Sequence, residues 1–296
     1  MELERCRTVL RVAELGNISA VAEELNYTAS GVSRSVAAME KELGFRLFYR
    51  KHDGVEPTPE CERMLGALRS FVFSGEVCLQ LSGSIRKLDT GSVTVGCAYS
   101  AYYGSICERI SEFRALHPGI SLRLRHGGSS ELMQALQNRE LDLCLISRRE
   151  GDCEWFPLCR DELKAWVPSS SPLAGLPAVP LETFGSEPYI DILFGLGSES
   201  DNSRLFESVG ISPNTQFCVS DSASGYYMVE AGLGIAMNNA LNSDDFKGRV
   251  SILPLSPPQL VEVGIASMSD PAPAAGAFLA YLKSKGIGPR KNTTAS

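Results

Sequence analysis

Two short helices joined by a tight break are expected near the start of the chain, and this arrangement restricts the possible folds most. One helix should begin after Asn17-Ile18, with Ser19 as its N-cap, and end at Asn26-Tyr27. Thr28 can cap the next helix, which should end near Gly44 because glycine suits a left-handed C-cap. Two helices joined by a turn of about three or four residues predict a helix-turn-helix.

One face of the helix capped by Thr28 is expected to lie free. Its apolar residues would pack on the preceding helix, which leaves hydroxyl groups and a guanidinium exposed near its N-terminus. Such an end fits the major groove of DNA, where these groups can reach base edges or phosphates. An ordinary packing unit, completed by a helix over Leu3–Leu15, is the alternative. The residues of this helix that we predict to contact DNA are Thr28, Ala29, Ser30, Ser33 and Arg34.

A short hairpin is predicted after the helix-turn-helix. Asp53-Gly54 is a turn signal, and the residues on either side of it would form two short strands. Arg50, Lys51 and His52 lie where such a wing meets phosphates or the minor groove, and we predict that they contact DNA.

Net charge gives only weak support for a nucleic-acid partner. Residues 1–87 carry 12 Lys+Arg and 12 Asp+Glu, whereas residues 88–296 carry 16 and 23. The acidity of the chain, formally −7 at pH 7, therefore lies in its last two thirds. The first third is neutral, so DNA binding has to be argued from its pattern rather than from its charge.

A longer motif makes the N-terminal pattern specific. Residues 40–50 read Glu-x-x-Leu-Gly-x-x-Leu-Phe-x-Arg, and they follow a small-residue second helix and the Ser33-Arg34 pair. With these features the segment closely resembles the LysR-type transcriptional regulators. The resemblance implies a winged helix-turn-helix over residues 1–58 that binds double-stranded promoter or operator DNA. Ala29 stands where the family commonly has Gln, and Ser30 where it has Pro, so the operator sequence does not follow from the family.

A stripe of apolar residues at helical spacing runs from Thr58 to Leu88 and needs a partner. Gly75, Ser82 and Gly83 interrupt the stripe, which argues against a long regular coiled coil. Packing against the chain's own body is one alternative. The resemblance favours a linker helix over residues 59–88 that pairs two protomers. It implies a homodimer or a dimer of dimers (a homotetramer), with RNA polymerase as a further candidate partner.

The last two thirds of the chain alternate strand and helix patterns, which predicts a parallel sheet with right-handed crossovers. The Pro- and Ser-rich residues 168–180 should cross to a second α/β lobe, and residues 261–267 should return to the first. This order resembles a periplasmic-binding-protein-like effector domain of the same family. The predicted fold class is therefore α+β multidomain, with a winged helix-turn-helix, a linker helix and a two-lobed α/β effector domain. The predicted limits are 89–287 for this domain, about 91–165 and 266–287 for lobe I, about 166–265 for lobe II, and 288–296 for a disordered tail.

Three turns are expected to meet in the cleft between the lobes, where ligands bind in such folds. One opens a helix whose N-terminal amides favour an anion, one precedes the next helix, and one follows the first strand of the second lobe. A small-molecule effector is the partner that the resemblance implies. As alternatives, the serines could cap a helix and the tyrosines could belong to the core. The residues that we predict to bind the effector are Tyr99, Ser100, Tyr102, Ser129, Ser130, Asp191 and Phe194.

Several classes of protein find no support in the sequence. Nine cysteines form no Cys-x-x-Cys pair and three histidines lack ligand spacing, so no metal or cofactor is expected. Gly-x-Ser-x-Gly and a Walker loop are missing, and we predict that the chain is not an enzyme. No apolar run approaches about 20 residues, and no signal segment is seen, which favours a cytoplasmic protein without a membrane partner. The rival is a two-lobed solute-binding or transport protein without a DNA role.

Overall fold

The chain folds as two units, Met1–Leu88 and Asp89–Ser296. The computed structural model describes residues 1–52, 54–85, 90–193, 199–243 and 246–289. No helix in these ranges is long and apolar enough to cross a membrane. Of the predicted tail, residues 290–296 lie outside the described residues, whereas the carbonyl oxygen of Gly288 accepts a hydrogen bond from Ser105 Oγ at 2.7 Å.

The first unit is the predicted winged helix-turn-helix with a long helix behind it. A core of apolar side chains, with Val9, Val32 and Met39 fully buried, holds its helices together. The strands of the wing pair antiparallel, with Arg50 opposite Val55. Its elements are α1 (Leu3–Leu15), α2 (Ile18–Glu24), α3 (Ala29–Leu43), β1 (Phe48–Lys51), β2 (Gly54–Pro57) and α4 (Pro59–Ile85).

The ends of α2 and α3 explain the tight break between them. Thr28 Oγ1 accepts a hydrogen bond from Gly31 N at 3.1 Å, which confirms the predicted cap of α3, and Gly44 ends the helix at a φ of +84°. The predicted cap of α2 is wrong. Asn17, not Ser19, caps it, because Asn17 Oδ1 reaches Ser19 N at 2.9 Å and a second amide of the first turn at 3.2 Å. Ser19 is therefore already inside the helix.

The wing is held against the helices at two points. Val55 N donates to the carbonyl oxygen of Gly16 at 2.7 Å. A Cβ at Gly54 would lie 2.2 Å from the same oxygen, and Gly54 has a φ of +152°, so only glycine fits there. At the start of the wing, Glu40 Oε1 accepts from Leu47 N at 2.7 Å and Phe48 N at 3.3 Å. Glu40, the first residue of the motif over residues 40–50, thus accepts hydrogen bonds from backbone amides just after the end of α3.

The long helix α4 runs without a break from Pro59 to Ile85, and Gly75, Ser82 and Gly83 lie inside it. A single glycine costs a helix about 1 kcal/mol, which neighbouring packing can offset. At Gly75 a Cβ would lie 2.7 Å from Leu3 Cδ1, so the missing side chain allows α1 to approach closely.

The second unit contains the predicted βαβ order. Strands β3, β4 and β5 pair in parallel, and so do β8, β9 and β10, which confirms two α/β lobes. Hydrogen-bonded neighbours follow the order β4-β3-β5-β12-β6-β10-β8-β9, with β11 beside β6 and β7. The strands are β3 (Gly91–Cys97), β4 (Ile120–His126), β5 (Leu143–Ser147), β6 (Glu154–Pro168), β7 (Val179–Pro180), β8 (Tyr189–Ile192), β9 (Thr215–Val219), β10 (Ile235–Asn239), β11 (Val250–Ser256) and β12 (Leu260–Ser267). The helices are α5 (Tyr103–Leu116), α6 (Ser129–Gln137), α7 (Thr183–Ser186), α8 (Asp201–Val209), α9 (Ser222–Glu230), α10 (Ala240–Ser243) and α11 (Pro273–Lys285).

The chain crosses between the lobes inside β6, not in residues 168–180 as predicted. This 15-residue strand pairs with β12 as far as Glu162 and with β10 and β11 from Leu163 onward. Residues 168–180 lie wholly on the second-lobe side, where β7 pairs with β11. Residues 154–161 belong to the strand through their ladder with β12, a long-range pairing that no local pattern predicts.

We expect Glu40→Ala to lower the thermal unfolding midpoint of the first unit. The substitution leaves the amide of fully buried Leu47 without its acceptor, which typically costs about 1–3 kcal/mol. Glu40→Gln keeps an acceptor oxygen and should lose much less. Circular dichroism on the full chain measures this. Equal losses for both variants would contradict the assigned hydrogen bonds.

Candidate nucleic-acid interface and ligand cleft

The structure exposes most of the residues predicted to contact DNA on α3. Thr28, Ala29, Ser30 and Arg34 are exposed, and Ser33 is half-buried. The Thr28 hydroxyl is occupied by the cap and lies 3.1 Å from Ser30 Oγ. Arg34 forms no hydrogen bond or ion pair with any residue that the structure describes. Its guanidinium is therefore available to a partner outside the unit.

On the wing, Arg50, Lys51 and His52 are all exposed. Lys51 Nζ lies 2.5 Å from Glu56 Oε2 on the opposite strand. The hydrogen bond from Lys51 and the charge of Glu56 raise the pKa of Lys51, which keeps it protonated. Glu56 thus competes with any phosphate that approaches this lysine.

Aromatic residues that the sequence prediction omitted flank the same surface. Tyr27, next to the start of α3, is 53% exposed, and Tyr49 on the wing is 49% exposed. A hollow of about 470 Å³ between α3 and the wing is lined by Tyr49, Arg46 and Arg50 among others. Large aromatic side chains that stay exposed beside a polar helix end indicate an interaction surface. The apolar pattern of the sequence did not distinguish them from core residues.

A cavity of about 50 Å³ is lined by residues of both lobes of the second unit. Its volume is far below the roughly 300–1,000 Å³ of sites for drug-sized ligands, so the two lobes are closed on each other here. Polar side chains dominate its lining. These are Tyr99, Ser129 and Arg149 from lobe I, and Glu199, Ser200, Asp201, Asn202, Asn238, Asn239 and Asn242 from lobe II.

The predicted effector residues are distributed around this cavity rather than gathered in it. Tyr99 and Ser129 line it, and Ser130 lines a neighbouring cavity of about 370 Å³. Ser100, Tyr102 and Asp191 line neither cavity and make other contacts. Ser100 Oγ donates to Asn242 Oδ1 at 3.3 Å, Tyr102 is buried with its hydroxyl 3.4 Å from Cys159 Sγ, and Asp191 accepts from Tyr189 Oη at 3.3 Å. Phe194 lies outside the described residues.

The serines at the start of α6 do not cap it. The N-cap is Gly128, which has no side chain to offer. Ser129 Oγ instead accepts from Ser147 N at 3.1 Å, and Ser130 Oγ accepts from Arg149 Nε at 2.7 Å. The alternative in which these residues are only helix caps is therefore wrong, because their hydroxyls face the neighbouring strand end.

A buried ion pair that the sequence did not reveal joins the lobes. Arg149 Nη1 lies 2.8 Å from Asp201 Oδ1, with side-chain exposures of only 5% and 12%. Ser147 Oγ lies 2.8 Å from the same carboxylate oxygen and accepts from Arg149 Nη1 at 2.7 Å. Arg149 follows the end of β5 and Asp201 begins α8, so only the folded chain brings them together. Breaking such a buried pair on one side is costly because the remaining charge stays buried.

An amide cluster forms the second-lobe side of the cavity. Asn202 Nδ2 donates to the carbonyl oxygen of Met237 at 2.8 Å, and Asn239 Nδ2 donates to Tyr99 Oη at 3.4 Å. The sequence signal was the run Met-Asn-Asn-Ala-Leu-Asn over residues 237–242, which places three asparagines close together in the chain.

Asp161 lies at the lobe crossing of β6 and is 4% exposed. Its carboxylate accepts from Glu162 N at 2.9 Å and from Leu241 N, at the start of α10, at 3.2 Å. Burial, reinforced by the charge of Asp201, raises the pKa of Asp161 to about 6 despite these hydrogen bonds. This carboxyl group therefore titrates near neutral pH between the two lobes.

We expect Asp161→Asn to change how stability depends on pH. The folded state holds the Asp161 proton more tightly than the unfolded chain, so its contribution to the free energy of unfolding is present below about pH 4. It is lost as the pH rises through about 6. Relative to wild type, the variant should gain about 2 kcal/mol between about pH 4 and pH 7.5.

Urea denaturation at several pH values measures this difference, and Asp152→Asn, at an exposed aspartate, is the control for loss of charge. A difference between wild type and Asp161→Asn that stays constant with pH would contradict the raised pKa.

Comparisons with known proteins identify both units. The family model described as "LysR substrate binding domain" matches residues 86–286. The model described as "Bacterial regulatory helix-turn-helix protein, lysR family" matches residues 3–62. Together they span nearly the whole described chain.

Relatives and solved structures agree with these matches. The HTH-type transcriptional regulator YybE of Bacillus subtilis is 27% identical over 287 residues, 95% of this chain and 98% of that protein. A full-length OxyR variant from Pseudomonas aeruginosa has the same fold, with a TM-score of 0.67 and 19% identity over 98% of this chain and 99% of that one. Full-length CbnR, solved with its target DNA, has a TM-score of 0.61 and 19% identity over 97% and 100%. The chain therefore belongs to the LysR family and is a DNA-binding transcriptional regulator with an effector-binding domain, not an enzyme or a transport protein.

Proposed function

We propose that this regulator reads its operator with the N-terminal end of α3 in the major groove and the wing on the adjacent backbone. The observation that carries this assignment is the exposed Arg34, which forms no hydrogen bond or ion pair with a residue that the structure describes. It lies on a face of α3 that is rich in hydroxyl groups. Arg50, Lys51 and His52 add positive or polar groups on the wing. Guanidinium and hydroxyl groups suit both base edges and phosphates. The other predicted contacts are Thr28, Ala29, Ser30 and Ser33.

The proposed regulator acts as a homodimer that is paired through α4. The first half of α4 packs on its own unit, with Cys61 and Leu68 buried. Farther along, Phe71 and Leu79 lie about two turns apart on the same side of the helix and are 38% and 61% exposed. An apolar stripe of this kind on a helix about 40 Å long needs a partner helix. Two copies would place two α3 helices on one DNA face, as half-sites about 34 Å apart require.

The effector unit offers a second surface for a dimer of dimers. Its sheet ends in two edge strands, β4 and β9. Near these edges Leu116 is 61% exposed, Phe217 39% and Tyr227 65%. Exposed aromatic and aliphatic side chains beside an open strand favour association with another copy. A cytoplasmic location and contact with RNA polymerase complete the proposed role in transcription.

A small effector in the cavity between the lobes would control this assembly. Contacts that join the lobes across it include Arg149–Asp201, Ser100–Asn242 and Tyr99–Asn239. A ligand that binds the open and closed arrangements with affinities differing by a few kcal/mol is enough to shift the population between them. Such a shift changes how the two lobes present their surfaces to neighbouring copies.

Arg34→Ala should weaken operator binding by about 1–3 kcal/mol, because it removes a base or phosphate contact. Fluorescence anisotropy with DNA selected by the wild-type protein measures the change. Lys41→Ala is the matched control. It removes a charge from the last turn of the same helix, away from the proposed contact face, and should have a much smaller effect. Equal affinities for Arg34→Ala and wild type would refute the proposed docking.

Leu79→Glu should raise the concentration at which the protein dissociates by about tenfold or more, because a carboxylate would replace a buried apolar contact between protomers. Sedimentation velocity over a concentration series gives this quantity. Leu176→Glu, at a 37% exposed leucine of the second unit, is the control and should associate like wild type. If Leu79→Glu also associates like wild type, α4 is not the pairing helix.

A further inference from the structure

We propose that the cavity between the lobes binds a compact anionic group, a carboxylate or an inorganic oxyanion, through Arg149 Nη2 and the N-terminus of α6. This inference rests on the proposed effector function and specifies the chemical class of the effector. Two observations support it. Arg149 Nη2 is a buried donor that lacks an acceptor in the described part of the chain, and the N-terminus of α6 lacks a side-chain cap.

Arg149 is the buried donor. Its Nε donates to Ser130 Oγ at 2.7 Å, and its Nη1 donates to Ser147 Oγ and Asp201 Oδ1. Within the described residues Nη2 has no hydrogen-bond partner, although the side chain is only 5% exposed. A buried polar N–H without an acceptor is destabilising, and such groups in native proteins mark bound water, ions or ligands.

The N-terminus of α6 supplies further donors beside this guanidinium. The helix has nine residues, and Gly128 at its N-cap gives no side-chain cap hydrogen bond. Gly128 and Ser129 line the same cavity as Arg149. Free backbone N–H groups and the helix dipole together favour an anion at such an end. Glu131 in the first turn is directed to Arg125, with which it pairs at 2.7 Å.

The carboxylates that line the cavity do not accept hydrogen bonds from Arg149 Nη2. Asp201 pairs with Nη1 of Arg149 and starts α8, whose own N-terminus stabilises its charge. Ser200 caps α8 and accepts from Ser203 N at 3.0 Å, so this amide is already paired. Glu199 lies 3.9 Å from Arg204 Nε. Nη2 and the start of α6 therefore remain for a ligand with several acceptor atoms.

The cavity volume limits what binds in the closed arrangement. About 50 Å³ admits a few waters or a group of about four or five heavy atoms, such as acetate or sulfate. Asn238, Asn239 and Asn242 line the opposite side, and an amide can either donate or accept. A larger effector would bind here through its anionic group with the lobes further apart.

Titration of the full chain with acetate, sulfate and two neutral analogues of similar shape, acetamide and dimethyl sulfone, tests the inference at constant ionic strength. At least one anion should raise the thermal midpoint saturably, with half-saturation at about 20 mM or below, whereas the neutral analogues should not. Whether acetate or sulfate binds more tightly identifies the source of the anionic group. Equal effects of anions and neutral analogues, or no saturable anion effect, would overturn the inference.

Two variants assign the effect to Arg149. The double variant Arg149→Gln/Asp201→Asn removes both buried charges while keeping hydrogen-bonding groups, so it should fold and bind the anion at least about tenfold more weakly. Asp201→Asn alone is the matched control, and it should bind the anion as well as or better than wild type because a repelling carboxylate is gone. Undiminished binding by the double variant would exclude Arg149.

A parallel measurement of DNA binding separates the two proposals. Wild-type protein that binds selected DNA but no anion would contradict the anion site and leave the DNA-binding proposal intact. Saturable anion binding by a protein that ignores DNA would contradict the proposed function and leave the anion site standing.

Discussion

The strand β6 belongs to both lobes of the effector unit and joins the two sides of the cleft. Its first part pairs with β12 and its second part with β10 and β11, so neither lobe can move without bending this strand. Asp161, next to the crossing point, ties the strand to the start of α10, which carries Asn242 into the cavity lining. A change at the cavity is therefore mechanically linked to the relative orientation of the lobes, which is what a ligand-controlled regulator requires.

The DNA-binding unit depends on equally local constraints. The backbone of Gly16 lies so close to Gly54 that a Cβ at Gly54 would meet its oxygen at 2.2 Å, and Glu40 accepts hydrogen bonds from the first residues of the wing. These contacts fix the wing against the helices, while Arg34 near the start of α3 has no partner among the described residues. Rigid support beneath exposed polar groups lowers the entropy lost on binding, because those groups already have a defined orientation.

Much of this architecture follows from the sequence, because caps, glycines and apolar periods act locally. Thr28, Gly44 and the Asp53-Gly54 turn indicated the helix-turn-helix and wing, and the motif over residues 40–50 indicated the family. Long-range contacts were not accessible in the same way. The ladder with β12 extends β6 back to Glu154, and Leu3 of α1 packs against Gly75 of α4. The pair Arg149–Asp201 forms between residues 52 positions apart, so no local pattern could reveal it.

The central claim is that the start of α3 and the wing are the surfaces that meet DNA. Hydrogen–deuterium exchange of the full chain, with and without DNA selected by the protein itself, tests it most directly. The account predicts slowed exchange in peptides covering residues 28–35 and 48–57, with the remainder of α3 and its neighbours little changed. Slowed exchange confined to residues 89–289, or none in the first unit at saturating DNA, would contradict it.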